Sequence, residues 1–198
     1  MPQQGARAAF RDQGGRGAVL TPAGKLAVAG AGVIVGGAVV AAGTRMTWVE
    51  ATLRGFPVDS PGLPPVFLGR GAVALNGAEL GAGYLFGLGL MLALVPLGWL
   101  VVGPNARIAL GLIGVGLAVG IYAGVWDARR DVTERAVEIM RAEAGSAFTG
   151  IGATSRHGPT VASGGAMIAG LTSLGGAVVG RHVPKMRMPE PPDKGAAA

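Results

Sequence analysis

The chain has 198 residues, half of them hydrophobic and only 14% charged, with a net charge of +6. A soluble domain carries about a quarter charged residues; here the deficit is concentrated in uncharged windows of ~20 residues, which mark candidate membrane helices. Cysteine is absent, which excludes a disulfide framework, a thiol nucleophile and a Cys-ligated zinc or iron–sulfur site, and the basic residues flank apolar runs, as membrane orientation requires, rather than forming a nucleic-acid patch.

Residues 1–23 form a polar tail with Arg7, Arg11 and Arg16 against Asp12. It has no apolar periodicity and is predicted to be disordered. The first span is predicted at about 24–43, with Thr21 as N-cap and Pro22 at the first helical position. Lys25 anchors its start by snorkelling to the interface. A cleaved signal peptide ending near Ala41-Ala42-Gly43 is the rival reading. The apolar run exceeds a usual signal core and the preceding tail is long, so a retained span is preferred. Arg45 and Trp48 follow as interface anchors, with Arg45 set either to bind lipid phosphate or to pair with Glu50.

The loop 44–82 contains Pro57, Pro61, Pro64 and Pro65 and cannot be one helix. Val66-Phe67-Leu68 and Val73-Ala74-Leu75 fit either a small hairpin around Gly69-Arg70-Gly71 or segments lying on the membrane surface. Asn76 precedes Glu79 by three residues, the spacing of a capping box for the second span, at about 83–102. Pro96 lies inside that span and predicts a kink, and Trp99 stands near its end as an anchor. Gly103-Pro104-Asn105-Ala106 turns the chain into the third span, about 107–126, bounded by Arg107 and Trp126 as anchors.

The loop 127–160 opens with the most charged stretch of the chain. Asp131 with Arg135, and Arg130 with Glu134, have the spacing of helical ion pairs, and Val132, Ala136, Ile139 and Met140 make a modest apolar stripe. A charged helix outside the membrane is predicted here, either continuing the third span or turning onto the surface. Interleaved arginines argue against a carboxylate metal site. The fourth span, about 161–180, contains Ser163, Thr172 and Ser173, whose hydroxyls can bond back to the backbone or across to a neighbour. Arg181 anchors its end, and 182–198 is a basic, proline-rich tail predicted to be disordered.

The predicted fold is therefore all-α: an integral membrane four-helix bundle with a charged extramembrane helix after the third span. Each span carries glycines four apart: Gly32 and Gly36, Gly83 and Gly87, Gly116, Gly120 and Gly124, and Gly176 and Gly180. This spacing lets helix backbones approach closely, first within the chain and second against another copy or a membrane partner. Total Lys and Arg counts barely separate the two sides, but Lys25, Arg107 and Arg181 directly at span ends favour both tails and the Pro104 turn in the cytoplasm, with the two loops outside.

The span interiors hold no acidic residue, Lys, Arg or His, and no Walker motif, Ser-His-Asp set or HExxH is present. His157 and His182 do not have metal-ligand spacing. The expectation is a protein that is not an enzyme, with no catalytic residue, no cofactor and no metal, and with the lipid bilayer as its first partner.

The layout resembles a known family. The resemblance rests on the basic tail, the Gly/Ala-rich span, Arg45-x-x-Trp48, and Asn76-Gly77-Ala78-Glu79 leading into a tightly turned hairpin, then a polar loop, a fourth span and a basic tail. Over about Ala23–Arg187 the chain is similar to the actinobacterial tryptophan-biosynthesis-associated membrane proteins. That resemblance implies a four-helix integral membrane protein of unestablished activity and supplies no site residues; the cell (inner) membrane is the expected location. Two functions stand as expectations: an accessory or structural membrane subunit packing with itself or a membrane partner, or a small transporter or exporter component for a metabolite, which the resemblance would make an aromatic, tryptophan-related one. The accessory role is favoured because no span shows a polar midplane site or a pair of broken helices. A sensor of an external signal is a third, weaker idea.

Overall fold

The protein is represented by a computed structural model that describes residues 20–53, 72–144 and 150–183. Residues 1–19 and 184–198 of the terminal tails, and Val66-Phe67-Leu68 of the suggested hairpin, lie outside the described residues, while Pro22 and Ala23 of the first tail already belong to a helix.

Four helices are long and apolar enough to cross a bilayer: α1 (Pro22–Arg45), α2 (Tyr84–Val101), α3 (Pro104–Arg130) and, after a shorter helix, α5 (Gly158–Gly180). At 1.5 Å per residue, the 24 residues of α1 extend about 36 Å, enough to traverse the hydrocarbon core. Thr21 Oγ1 accepts a hydrogen bond from Gly24 N at 3.2 Å, and Pro22 opens the helix without losing a bonded N–H. The hairpin turn is tighter than its sequence suggests, because Pro104 already starts α3 and only Val102 and Gly103 connect the helices. The bundle closes in the order α1, α2, α3, α5, with α5 packed most extensively on α1 and then on α3.

The fold is not purely helical. One end of the bundle carries a three-stranded antiparallel sheet, in the order β2-β1-β3, from β1 (Thr47–Leu53), β2 (Ala72–Asn76) and β3 (Ile151–Ser155). Glu50 at the centre of β1 faces Ala74 on one side and Thr154 on the other. The apolar piece Val73-Ala74-Leu75 therefore pairs with the residues that leave the first span, which supply a longer partner strand. The irregularity between Thr47 and Val49 bends β1 where it departs from α1.

The charged helix α4 (Val132–Ala144) lies against β3 and β1. Its stripe of Val132, Ala136 and Met140 is buried, so the helix completes this cap. The third span runs straight out to Arg130, then breaks at Asp131, whose φ of −108° and ψ of 6° end the helix. Arg130 and Glu134 consequently belong to different helices. The only ion pair among the described residues is Arg156 with Glu50, across the sheet, rather than either pair expected from helical spacing.

Asn76 and Glu79 do form a reciprocal box. Asn76 Oδ1 accepts from Ala78 N and Glu79 N at 2.9 and 3.1 Å, and Glu79 Oε2 accepts from Asn76 N at 2.7 Å. It caps a separate π-helical turn, Ala78–Ala82, and not the second span. Gly81, at φ 84°, redirects the chain before α2 begins, a conformation that favours glycine.

Candidate functional site

Three constructions organise the molecule: a tryptophan that joins sheet to bundle, glycine seams through the membrane, and an arginine at the opposite end.

Trp48 is fully buried at the base of the sheet. Its Nε1 donates to Gly43 O, near the end of α1, at 2.9 Å. Gly158, the first residue of α5, and Gly77 lie against the indole so closely that a Cβ at either position would collide with the ring. Arg156 N donates to Trp48 O at 2.7 Å. One aromatic side chain thus fixes where the strand leaves the first span and where the fourth span begins. Arg45, beside it in sequence, stacks over Phe86 at 4.9 Å and does not meet Glu50.

Within the membrane, spans meet at backbone distance. A Cβ on Gly36 would lie 2.6 Å from Ala169 N and 2.7 Å from Gly165 O, both on α5. A Cβ on Gly37 would lie 2.8 Å from Ala93 N on α2. Gly32 abuts Thr172, Gly111 abuts Ala177 and Ser173, Gly176 lies under the indole of Trp99, and Gly180 abuts Arg107. Such contacts maximise dispersion where lipid supplies no hydrophobic drive between helices. Thr172 Oγ1 bonds back to Ile168 O at 2.7 Å, while Ser173 Oγ is buried without a partner among the described residues.

The remaining stripe glycines are placed differently. Among the described residues nothing lies within 4 Å of a Cβ built on Gly87, Gly116 or Gly120. Gly124 sits against Tyr84 and Leu85, and Gly83 against Ala78 of the preceding turn. On α3 the residues facing neighbours are Gly111, Gly114, Ala118, Ile121 and Val125, so Gly116 and Gly120 turn outward.

The anchors also divide. Lys25, Trp126 and Arg181 are exposed at span ends. Trp99 and Arg107 are both only 2% exposed. Arg107 Nε donates to Trp99 O at 2.8 Å, and its Nη1 donates to Val183 O at 2.7 Å. These carbonyls belong to the last turn of α2 and to the segment just beyond α5. The guanidinium therefore satisfies acceptors that a helix end leaves open and neutralises the negative ends of two helix dipoles. The sequence marks Arg107 as an interface anchor at a span end; its two carbonyl partners are what the sequence does not show. The Pro104 helix start, which sets it one turn into α3 beside two C-termini, was the available signal.

Arg107 and Trp99 line an apolar cleft of about 340 Å³ between α1 and α2, walled by Leu26, Gly30, Ile34 and Pro96. A second apolar groove, of about 360 Å³, lies between α3 and α5 around Ala118, Tyr122 and Met167. Among the described residues no three His, Cys, Asp or Glu side chains converge as a metal site. His157 precedes α5 and His182 follows it; Arg181 Nε donates to His182 Nε2 at 2.8 Å. The arrangement suits packing, anchoring and the holding of apolar chains. Comparison of the chain with family models, with curated proteins and with solved structures gave no match, so the reading rests on this multi-pass helical geometry.

Proposed function

We propose that this protein is a non-catalytic accessory or structural subunit of a cell-membrane assembly, with both termini in the cytoplasm and the sheet-capped end outside. The observation that carries the reading is the contact of α1 with α2 and α5 at backbone distance, through Gly36 and Gly37. An alternating-access mechanism needs parts that rock around a polar midplane site. Seams without room for a methyl group favour a rigid scaffold instead.

Charge distribution supports the orientation. Lys25, Arg107 and Arg181 lie at the tail end of the bundle. Among the described residues, every acid belongs to the capped end: Glu50, Glu79, Asp127, Asp131, Glu134, Glu138 and Glu143. Arg45, Arg129, Arg130 and Arg156 also flank spans at the capped end, so the orientation rests on Lys25, Arg107 and Arg181 as bases unmixed with acids among the described residues and not on an excess of Lys and Arg. The cap then presents sheet and charged helix to a partner outside.

The test is purification of the full chain in mild detergent, with identification of what accompanies it. A stoichiometric membrane protein, or a defined homo-oligomer, supports the accessory role. Solitary protein, together with changed tryptophan or indole export on deletion, would replace it with the exporter reading suggested by the family resemblance.

A further inference from the structure

We infer that Trp126, Arg129 and Arg130 form a binding site for the phosphate of one membrane phospholipid, in the leaflet at the capped end of the bundle. Depth along α3 places them there. From Arg107 to Trp126 the helix rises about 28 Å at 1.5 Å per residue, close to the hydrocarbon thickness of a bilayer. Arg129 and Arg130 follow about 4–6 Å further out, within a headgroup layer about 5–7 Å thick. At that depth the anionic oxygens a bilayer supplies are those of lipid phosphate. Trp126 is 53% exposed, on the opposite side of α3 from the buried Ile121 and Val125. Residues three and four further along a helix stand over it, and the three side chains line a hollow of about 330 Å³. An indole at the hydrocarbon boundary with two guanidinium groups one turn above it matches a lipid's glycerol region and phosphate.

Both guanidinium groups are on offer. Arg129 and Arg130 are exposed, and neither forms an ion pair among the described residues. Asp127, Asp131 and Glu134 stand close by in sequence, yet the ion pair that forms joins Arg156 to Glu50. The other bases flanking the spans at this end are engaged: Arg156 by that carboxylate and Arg45 by the ring of Phe86. Two guanidinium groups side by side can share the oxygens of one phosphate through charge-assisted hydrogen bonds. Those bonds form whatever the rest of the headgroup carries, so phosphate and not the net charge of the lipid selects the occupant. The site holds whichever side of the membrane the cap faces.

The experiment reconstitutes the full chain in nanodiscs of equal parts phosphatidylcholine and a phosphate-free diglucosyl diacylglycerol, releases it gently, and counts retained lipids by native mass spectrometry. We expect phosphatidylcholine to be retained, enriched about tenfold over the glycolipid, the effect of one charge-assisted hydrogen bond. Phosphatidylglycerol in its place should show the same enrichment. Arg129→Gln with Arg130→Gln should return the retained lipids to the bulk ratio and leave the melting temperature unchanged, since both side chains are exposed. Arg135→Gln with Arg141→Gln removes the same charge from exposed positions on α4 and should leave the enrichment in place. Retained lipids in the bulk ratio for the full chain, enrichment that persists without Arg129 and Arg130, or equal loss in the two double variants would overturn the assignment. Enrichment of phosphatidylglycerol but not phosphatidylcholine would also overturn it, by making net charge the selector. So would displacement of the retained lipid by millimolar inorganic phosphate, which would assign the site to a free anion.

Discussion

Arg107 donates a 2.7 Å hydrogen bond from Nη1 to the carbonyl of Val183, a residue 76 positions away, and so ties the start of the third span to the end of the fourth. Its Nε reaches Trp99 O at the end of the second span. One planar fork thus gathers three spans at the tail end.

Removing that fork should cost more than a surface charge would. Arg107→Gln leaves two buried carbonyls short of a donor, each worth about 1–3 kcal/mol. Thermal unfolding in detergent should show a loss of at least about 2 kcal/mol. Arg107→Lys should rescue only partly, because a compact ammonium does not reproduce the planar fork. Full rescue by lysine would mean that charge alone, not the two-carbonyl geometry, matters.

Trp48 and Gly158 define the other end. Gly158→Ala forces a methyl into the indole, and should cost about 1–3 kcal/mol as an overpacked contact. Gly164→Ala and Gly175→Ala lie in the same helix with open space beyond them, and should be neutral or slightly stabilising through helix propensity. Comparing the three melting curves checks the claim; equal behaviour of all three would refute it.

The glycine stripes should separate in the same way. Gly36→Ala must push α1 from the α5 backbone, so expression and detergent stability should fall, by about 1–3 kcal/mol. Gly116→Ala and Gly120→Ala meet nothing among the described residues and should leave monomer stability unchanged. Size-exclusion profiles then show whether those outward glycines serve a second copy: a shift toward monomer in Gly116→Leu, with stability retained, would reveal a homo-oligomeric contact.

Across the sheet, Arg156→Ala removes the ion pair with Glu50. Their side chains are 49% and 28% exposed, so solvent screening should hold the loss below about 1 kcal/mol. Urea denaturation, followed for the cap by tryptophan fluorescence, is the measurement, and a larger loss would show that the pair is coupled to the strand register.

The spans were legible because uncharged windows of membrane length leave little choice. Their rotation was not. A lipid-facing surface is as apolar as a core-facing one, and α1 and α2 are almost uniformly apolar around their axes. Nothing in the spacing could therefore say that Gly36 faces α5 while Gly116 faces outward. The sheet was hidden for another reason. Ile151-Gly-Ala-Thr-Ser has little strand character of its own, and its partner lies far away in sequence: Thr154 bonds to Glu50 across 104 positions. Short strands paired at such distance leave no local period to read. Arg107 was visible as a basic residue at a span end, but its two acceptors are helix ends brought together only by the bundle.

The central claim, four spans with the sheet-capped end outside, is tested most directly by two single cysteines in a chain that has none. Gly150→Cys lies at the capped end and Asn105→Cys in the first turn of α3, beside the hairpin connection. In intact cells, a membrane-impermeant maleimide should label Gly150→Cys, and should label Asn105→Cys only after lysis. Labelling of both from the same side would contradict the four-span bundle, and the reverse pattern would contradict its orientation.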